Sequence, residues 1–283
     1  MNWSRFKYYC LEVRRRLDQD QAVMAAFDSA RGSVIAKTLG EELKSNTLPN
    51  AILTELKNNN VAPSAVKQAV EVYQGLDFTM LSAEPSRIRR VGIYITYLSF
   101  MYLVFSSIYA VFVIPKSLAM IESLNLPEPE SFTFFSQFWN VLALLIFGLL
   151  LCAFLISRKL KALFEYRHGV ERSLVYRMLL PSKLKRQYES LVTLLRLPLV
   201  LSQADDGANA SEIVAYFRKE HYSAKEMSDC LSLLLNANIE SVLVAAETYL
   251  RRFYVTTTVL VIISIFIFIS SAYAPIFMLG EGV

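Results

Sequence analysis

The sequence predicts an all-α membrane protein, with two cytoplasmic helical bundles arranged as a tandem repeat and three transmembrane helices, N-terminus in and C-terminus out. Three observations predict it. The 283 residues contain three long stretches without a charged side chain. Apolar residues make up 54% of the chain and its mean hydropathy is +0.36, yet 19% of residues are charged. Such a mixture implies that the two kinds of surface are segregated. Finally, the features around the first uncharged stretch recur in the same order around the last.

No charge lies between Arg90 and Lys116, between Glu130 and Arg158, or between Arg252 and Glu281. Each interval exceeds the roughly 20 residues that cross ~30 Å of hydrocarbon at ~1.5 Å per residue. The spans are placed at 91–114, 138–157 and 253–274. Their flanks set the orientation, because cytoplasmic ends collect Lys and Arg. Arg87, Arg89 and Arg90 precede the first span, Arg158, Lys159, Lys161 and Arg167 follow the second, and Arg251 and Arg252 precede the third. The intervening loop, 115–137, carries one Lys against Glu122, Glu128 and Glu130. Residues 1–90 and 158–252 are therefore expected in the cytoplasm, and the loop and the tail 275–283 in the periplasm. The polar start MNWSRFKYYC has no apolar h-region, so the first span is expected to direct insertion itself.

Both cytoplasmic segments read as strings of short amphipathic helices. Phe6, Cys10 and Val13 fall at i, i+4, i+7, as do Val66, Val70 and Tyr73. Pro49, Pro63 and Pro181 sit where a first helical turn tolerates proline. Asn209–Glu212 and Ser223–Glu226 have capping-box form, and Met227, Cys230, Leu231 and Leu234 make an apolar stripe after the second. From Ile239 the helical pattern runs through Arg251 and Arg252 into the third span without a breaker, whereas Gly75 and Pro85 interrupt the approach to the first. Small helix bundles bury such stripes.

The stretch Ser106-Ser-Ile-Tyr-Ala110 matches Ser270-Ser-Ala-Tyr-Ala274 at all but its third position. Ala83-Glu84 and Ala246-Glu247 precede these, followed by the pairs Arg89-Arg90 and Arg251-Arg252. Bundle, "AE", paired arginines, apolar helix, "SSxYA", proline: the order is the same twice. Two copies of one orientation need an additional span between them, which 138–157 supplies. The repeats are parallel, unlike the inverted repeats of many secondary transporters.

Signatures of catalysis are missing from the sequence. It contains no G-x-x-x-x-G-K-[ST] loop, so the chain is not its own motor, and no G-x-S-x-G or H-E-x-x-H. The three cysteines and two histidines lack ligand spacing, so neither a metal nor a cofactor is expected, and the chain is read as a non-enzyme. The Asp205-Asp206-Gly207 stretch reads as a hydrated turn. The spans hold no ionisable group of the kind that marks a proton relay. Asn140 and the hydroxyls of Ser106, Ser107, Thr256, Thr257, Thr258, Ser264, Ser270 and Ser271 are expected to serve interhelical packing and hydrogen bonding. Positive charge is mixed with negative and spread over both cytoplasmic segments, which argues against a nucleic-acid partner and for anionic headgroups.

In layout the whole chain resembles the inner-membrane platform proteins of type II secretion and type IV pilus assembly, general secretion pathway protein F and pilus assembly protein C. The local wording that carries the resemblance is short. Ile114-Pro115-Lys116 within "VFVIPKSL" is similar to the family's "V-P-K-F" after the first span. Leu126-Pro127 within "NLPEPESFTFFSQFW" is similar to its Leu-Pro before the second, and Pro275 within Ala274-Pro-Ile-Phe277 to its terminal "L-P-I-F". The family's "G-E-x-S-G" turn is replaced by "NANIES" at 236–241 and "YQGLDF" at 73–78, so nothing that depends on those glycines carries over. The bundle begins at the start of this sequence without the family's usual N-terminal extension, which resembles a shortened, type IVb-like member.

The resemblance implies a multi-pass protein of the bacterial inner membrane that couples a cytoplasmic hexameric assembly ATPase to pilin or pseudopilin polymerisation. Other implied partners are further inner-membrane assembly proteins, membrane lipids and a second copy of the chain. Two basic clusters, Arg14-Arg15-Arg16 and Lys183-x-Lys185-Arg186, are candidate contacts for the ATPase or for lipid. The alternative reading is a transporter or channel subunit, with a membrane-bound enzyme behind it.

Overall fold

The computed structural model describes residues 2–39, 42–57, 62–82, 86–123, 130–170, 173–202, 212–220 and 222–281. Among them there is no strand, only an isolated bridge between Thr47 and Arg167. The helices are α1 (Asn2–Leu17), α2 (Val23–Gly32), α3 (Val34–Thr38), α4 (Leu48–Lys57) and α5 (Pro63–Gly75). Next come α6 (Ser86–Ile108), α7 (Ile114–Ser123) and α8 (Glu130–Phe164), followed by α9 (Leu174–Leu179), α10 (Ser182–Ser202), α11 (Glu212–Lys219) and α12 (Ala224–Glu281). Three of these runs are long and apolar enough to cross a membrane. The chain forms two compact units, a polar one (Met1–Glu84 with Arg158–Ala246) and an apolar one (Pro85–Ser157 with Glu247–Val283).

In the polar unit the periodic stripes form the core. Phe6, Cys10 and Val13 of α1 and Val66, Val70 and Tyr73 of α5 are all fully buried. Phe6 meets Tyr73 edge-on at 5.2 Å, and Trp3 stacks on Phe78 at 5.0 Å. Segments 1–90 and 158–252, expected as separate bundles, both contribute to this one unit. The Tyr73 hydroxyl donates to the Leu195 carbonyl of α10 at 2.9 Å. Arg196 pairs with Glu55 at 3.2 Å, and Leu48 N–H donates to Tyr166 O at 2.8 Å. Helices as short as these are marginal alone, and only long-range packing of their apolar faces holds them.

Local signals placed the helix starts well. Pro49 lies in the first turn of α4 and Pro63 opens α5. Pro181 stands one residue outside α10, where its carbonyl accepts from Lys185 N–H at 3.2 Å. The Ser223–Glu226 capping box is formed reciprocally: Glu226 accepts from Ser223 N–H at 3.0 Å and donates its own N–H to Ser223 Oγ at 3.3 Å. The Asn209–Glu212 box and the Asp205-Asp206-Gly207 turn involve residues outside the described ones. The stripe after Ser223 runs Met227, Leu231, Leu235, Ile239, with Cys230 and Leu234 at its margin. Gly75 ends α5 against α12. A Cβ there would collide with Ser228 Oγ and lie 2.7 Å from Ser228 Cβ, so any larger residue forces this contact to shift.

In the apolar unit, α6 continues through a π-helical turn, Tyr109–Val113, into α7. Pro115 explains the turn: it lacks the N–H that an α ladder would need, and the widened turn just before it absorbs the mismatch. The chain is thus helical to Ser123 and again from Glu130, where the sequence suggested a loop over 115–137. α8, at 35 residues, reaches about 50 Å at ~1.5 Å per residue. The continuity expected from Ile239 is present, and α12 is a single helix of 58 residues. Large apolar side chains such as Phe100, Phe112, Leu144 and Phe266 are exposed along these helices, as they are on surfaces that meet lipid.

Candidate functional site

Two kinds of feature are candidates: the basic clusters of the polar unit and the polar seam of the apolar unit. Arg14, Arg15 and Arg16 end α1, where cations suit the negative end of the helix dipole. Arg14 pairs with Glu71 at 2.8 Å and donates to Gln74 at 3.0 Å, both on α5. Arg15 and Arg16 each reach Glu12 Oε1 at 2.9 Å, one turn back on their own helix. Glu12 is only 5% exposed, so this carboxylate needs its partners. All three arginines therefore have acceptors inside the unit.

The second cluster differs. Lys185 donates to the Arg177 carbonyl at 2.6 Å and lies 5.8 Å from the Tyr176 ring centre, which ties the first turn of α10 to α9. Lys183 and Arg186 are exposed and form no ion pair with a described residue.

The seam joins α6 to α12. Tyr102 donates to the Ser264 carbonyl at 3.1 Å, and Tyr109, two turns on, donates to the Ser271 carbonyl at 3.1 Å. Both pairs are 162 positions apart, so the helices run parallel with a seven-residue step. Phe268 meets both tyrosine rings, at 6.1 and 5.2 Å, and Phe132 and Phe135 of α8 close the cluster with Ile114. The hydroxyls expected to bond between helices mostly bond within them. Ser106 donates to Tyr102 O, Thr257 to Phe253 O and Ser264 to Leu260 O, one turn back in each case. Asn140 is exposed. The interhelical hydrogen bonds come from tyrosines that sequence reasoning passed over; their signal was two tyrosines seven apart in an uncharged run.

Of the motif residues, Ile114 is buried in this cluster while Pro115 and Lys116 are exposed. Leu126 and Pro127 lie outside the described residues, and Pro275 falls within α12. The two "SSxYA" copies are used differently. Tyr109 is buried, but its counterpart Tyr273 is 54% exposed, because the motif matches at a different offset from the one at which the helices pair.

No group of three metal-ligating side chains occurs among the described residues. Burial pushes the Cys10 thiol well above its usual range, which leaves it unreactive. A cavity of about 220 Å³ in the polar unit is walled by Val72, Pro198, Phe217, Tyr222 and Met227, and among the described residues no carboxylate, imidazole or thiol lines it. The hydrogen bond to Tyr216 moves the Tyr222 phenol up to about 12.

No family model matches the chain, and neither a curated protein nor a solved structure matches it.

Proposed function

We propose that this chain is an inner-membrane platform protein, N-in and C-out, which couples a cytoplasmic hexameric ATPase to the assembly of pilin or pseudopilin subunits in a type IV pilus or type II secretion machine. The action is mechanical: the ATPase moves the polar segments, and the motion lifts fibre subunits out of the bilayer. Its residues act as surfaces, with no catalytic group. The observation that supports this reading is α12, which runs unbroken from a polar capping box through an apolar span, as a lever requires. The duplicated order of features and the Ile114-Pro115-Lys116 and Leu126-Pro127 wording add support.

Cross-linking in native membranes, followed by affinity purification of the tagged protein, tests it. Recovery of a secretion-type ATPase together with a pilin-like protein is expected. Normal fibre assembly after deletion of the protein, or solute flux through liposomes containing it alone, would overturn the proposal.

A further inference from the structure

We infer that α9 and the first turn of α10 form a second, peripheral membrane anchor whose ligand is the anionic lipid headgroup. The inference goes beyond the platform reading and does not depend on it. Leu174 and Met178 stand one turn apart on α9 and are 74% and 86% exposed, which makes Met178 the most exposed large apolar side chain among the described residues. Arg177 neighbours Met178 in α9, and Lys183 and Arg186 follow in α10; all three are exposed and none is in an ion pair with a described residue. Lys185 binds the Arg177 carbonyl and so holds the two parts of the patch together. Two protruding apolar side chains on a segment whose exposed cations form no ion pair with a described residue match a bilayer surface, which offers an apolar layer beneath anions.

The chain also ties this patch to the end of a membrane helix. The uncharged run of α8 stops at Arg158, Lys159 and Lys161, which marks the headgroup level. Eight residues past Arg158, Tyr166 is buried and stacks on Tyr188 of α10 at 6.3 Å. Lys183 is five residues from Tyr188, about 8 Å along the helix at ~1.5 Å per residue. Attraction between such cations and anionic lipid acts over a Debye length of ~10 Å. The Arg14–Arg16 run has no such property, because its charges are already met.

The test uses the full chain in nanodiscs, with a spin label at Met178→Cys in a Cys152→Ala, Cys230→Ala background. Discs of phosphatidylcholine alone are compared with discs that also contain phosphatidylglycerol. In the anionic discs the label is expected to gain accessibility to oxygen and lose accessibility to a nickel chelate, each several-fold. A control label at Leu233→Cys, also highly exposed, should stay water-like. Reversing Arg177, Lys183 and Arg186 to Glu should return the Met178 label to water, whereas Arg177→Lys with Arg186→Lys should keep it in lipid. A label that stays aqueous in anionic discs overturns the inference. So does a lipid response that survives charge reversal, or protection that appears only when an acidic polypeptide is added.

Discussion

The two basic clusters look interchangeable in sequence and are opposites in the fold. Arg14, Arg15 and Arg16 have Glu12 one turn away and Glu71 and Gln74 on the facing helix, so their charges are satisfied internally. Lys183 and Arg186 form no ion pair with a described residue and stay exposed. The difference teaches that spacing alone does not say whether a cation is neutralised. Glu12 precedes Arg16 by four positions and pairs with it, while Glu189 follows Arg186 by three and makes no such pair. Nor can a partner across a packed interface be read from the sequence, since Gln74 is 60 positions from Arg14.

The largest test of this contrast is Glu12→Ala, which removes the acceptor of two arginines at a buried position. Because Arg15 can turn to solvent, the loss is expected at about 2 kcal/mol, below the 3–5 typical of a fully buried pair. Denaturant unfolding of the full chain in micelles would read it through Trp3 fluorescence in a Trp139→Phe background. An unchanged midpoint would mean that Glu12 does not hold the cluster.

Gly75→Ala should follow, at about 1–2 kcal/mol, since the added Cβ pushes the end of α5, and with it Gln74 and Glu71, away from α12. Adding Ser228→Ala should recover part of the loss, because the hydroxyl is the nearest atom. If the double variant is no better than the single, the hydroxyl is not the atom that the added Cβ displaces; Ser228 Cβ, 2.7 Å away, remains.

Smaller effects separate the clusters directly. Arg14→Ala gives up a half-exposed ion pair and one hydrogen bond, about 0.5–1 kcal/mol. Lys183→Glu with Arg186→Glu should stay within about 0.5 kcal/mol of the parent. Equal losses from the two would erase the distinction.

A pH series gives the slightest effect. Lys67 holds Asp18 below the usual carboxylate range, Arg31 does so for Glu42, Thr79 for Asp77 and Ser223 for Glu226. Each depressed value means stability that is present above the unfolded pKa of about 4 and lost as pH falls through the folded one. The unfolding midpoint should therefore be level from pH 5 to 8 and decline below about 4. A midpoint that rises on acidification would contradict these partnerships.

Much of the secondary structure was legible because it rests on local chemistry. Uncharged runs, i, i+4, i+7 stripes and the Ser223–Glu226 box each lie within a few turns of one helix. The π turn before Pro115 and the tyrosine seam were harder. A proline near the end of an apolar run signals a break, whereas here helix resumes on both sides of the strain. Serines and threonines looked like the interhelical donors, but a hydroxyl one carbon from the backbone bonds its own helix one turn back, while a tyrosine hydroxyl is long enough to reach the next.

What the sequence by itself determined is an all-helical chain with three helices able to cross a membrane, since length, charge and periodicity are properties of contiguous residues. Only the tertiary structure decided that segments far apart share one polar unit, that Arg14–Arg16 are paired internally while Lys183 and Arg186 pair with no described residue, and that Tyr109 is buried while Tyr273 is exposed. Those outcomes depend on which face of each helix meets which neighbour. A two-residue offset rotates a helix by about 200° at 3.6 residues per turn, so near-identical words can face opposite ways.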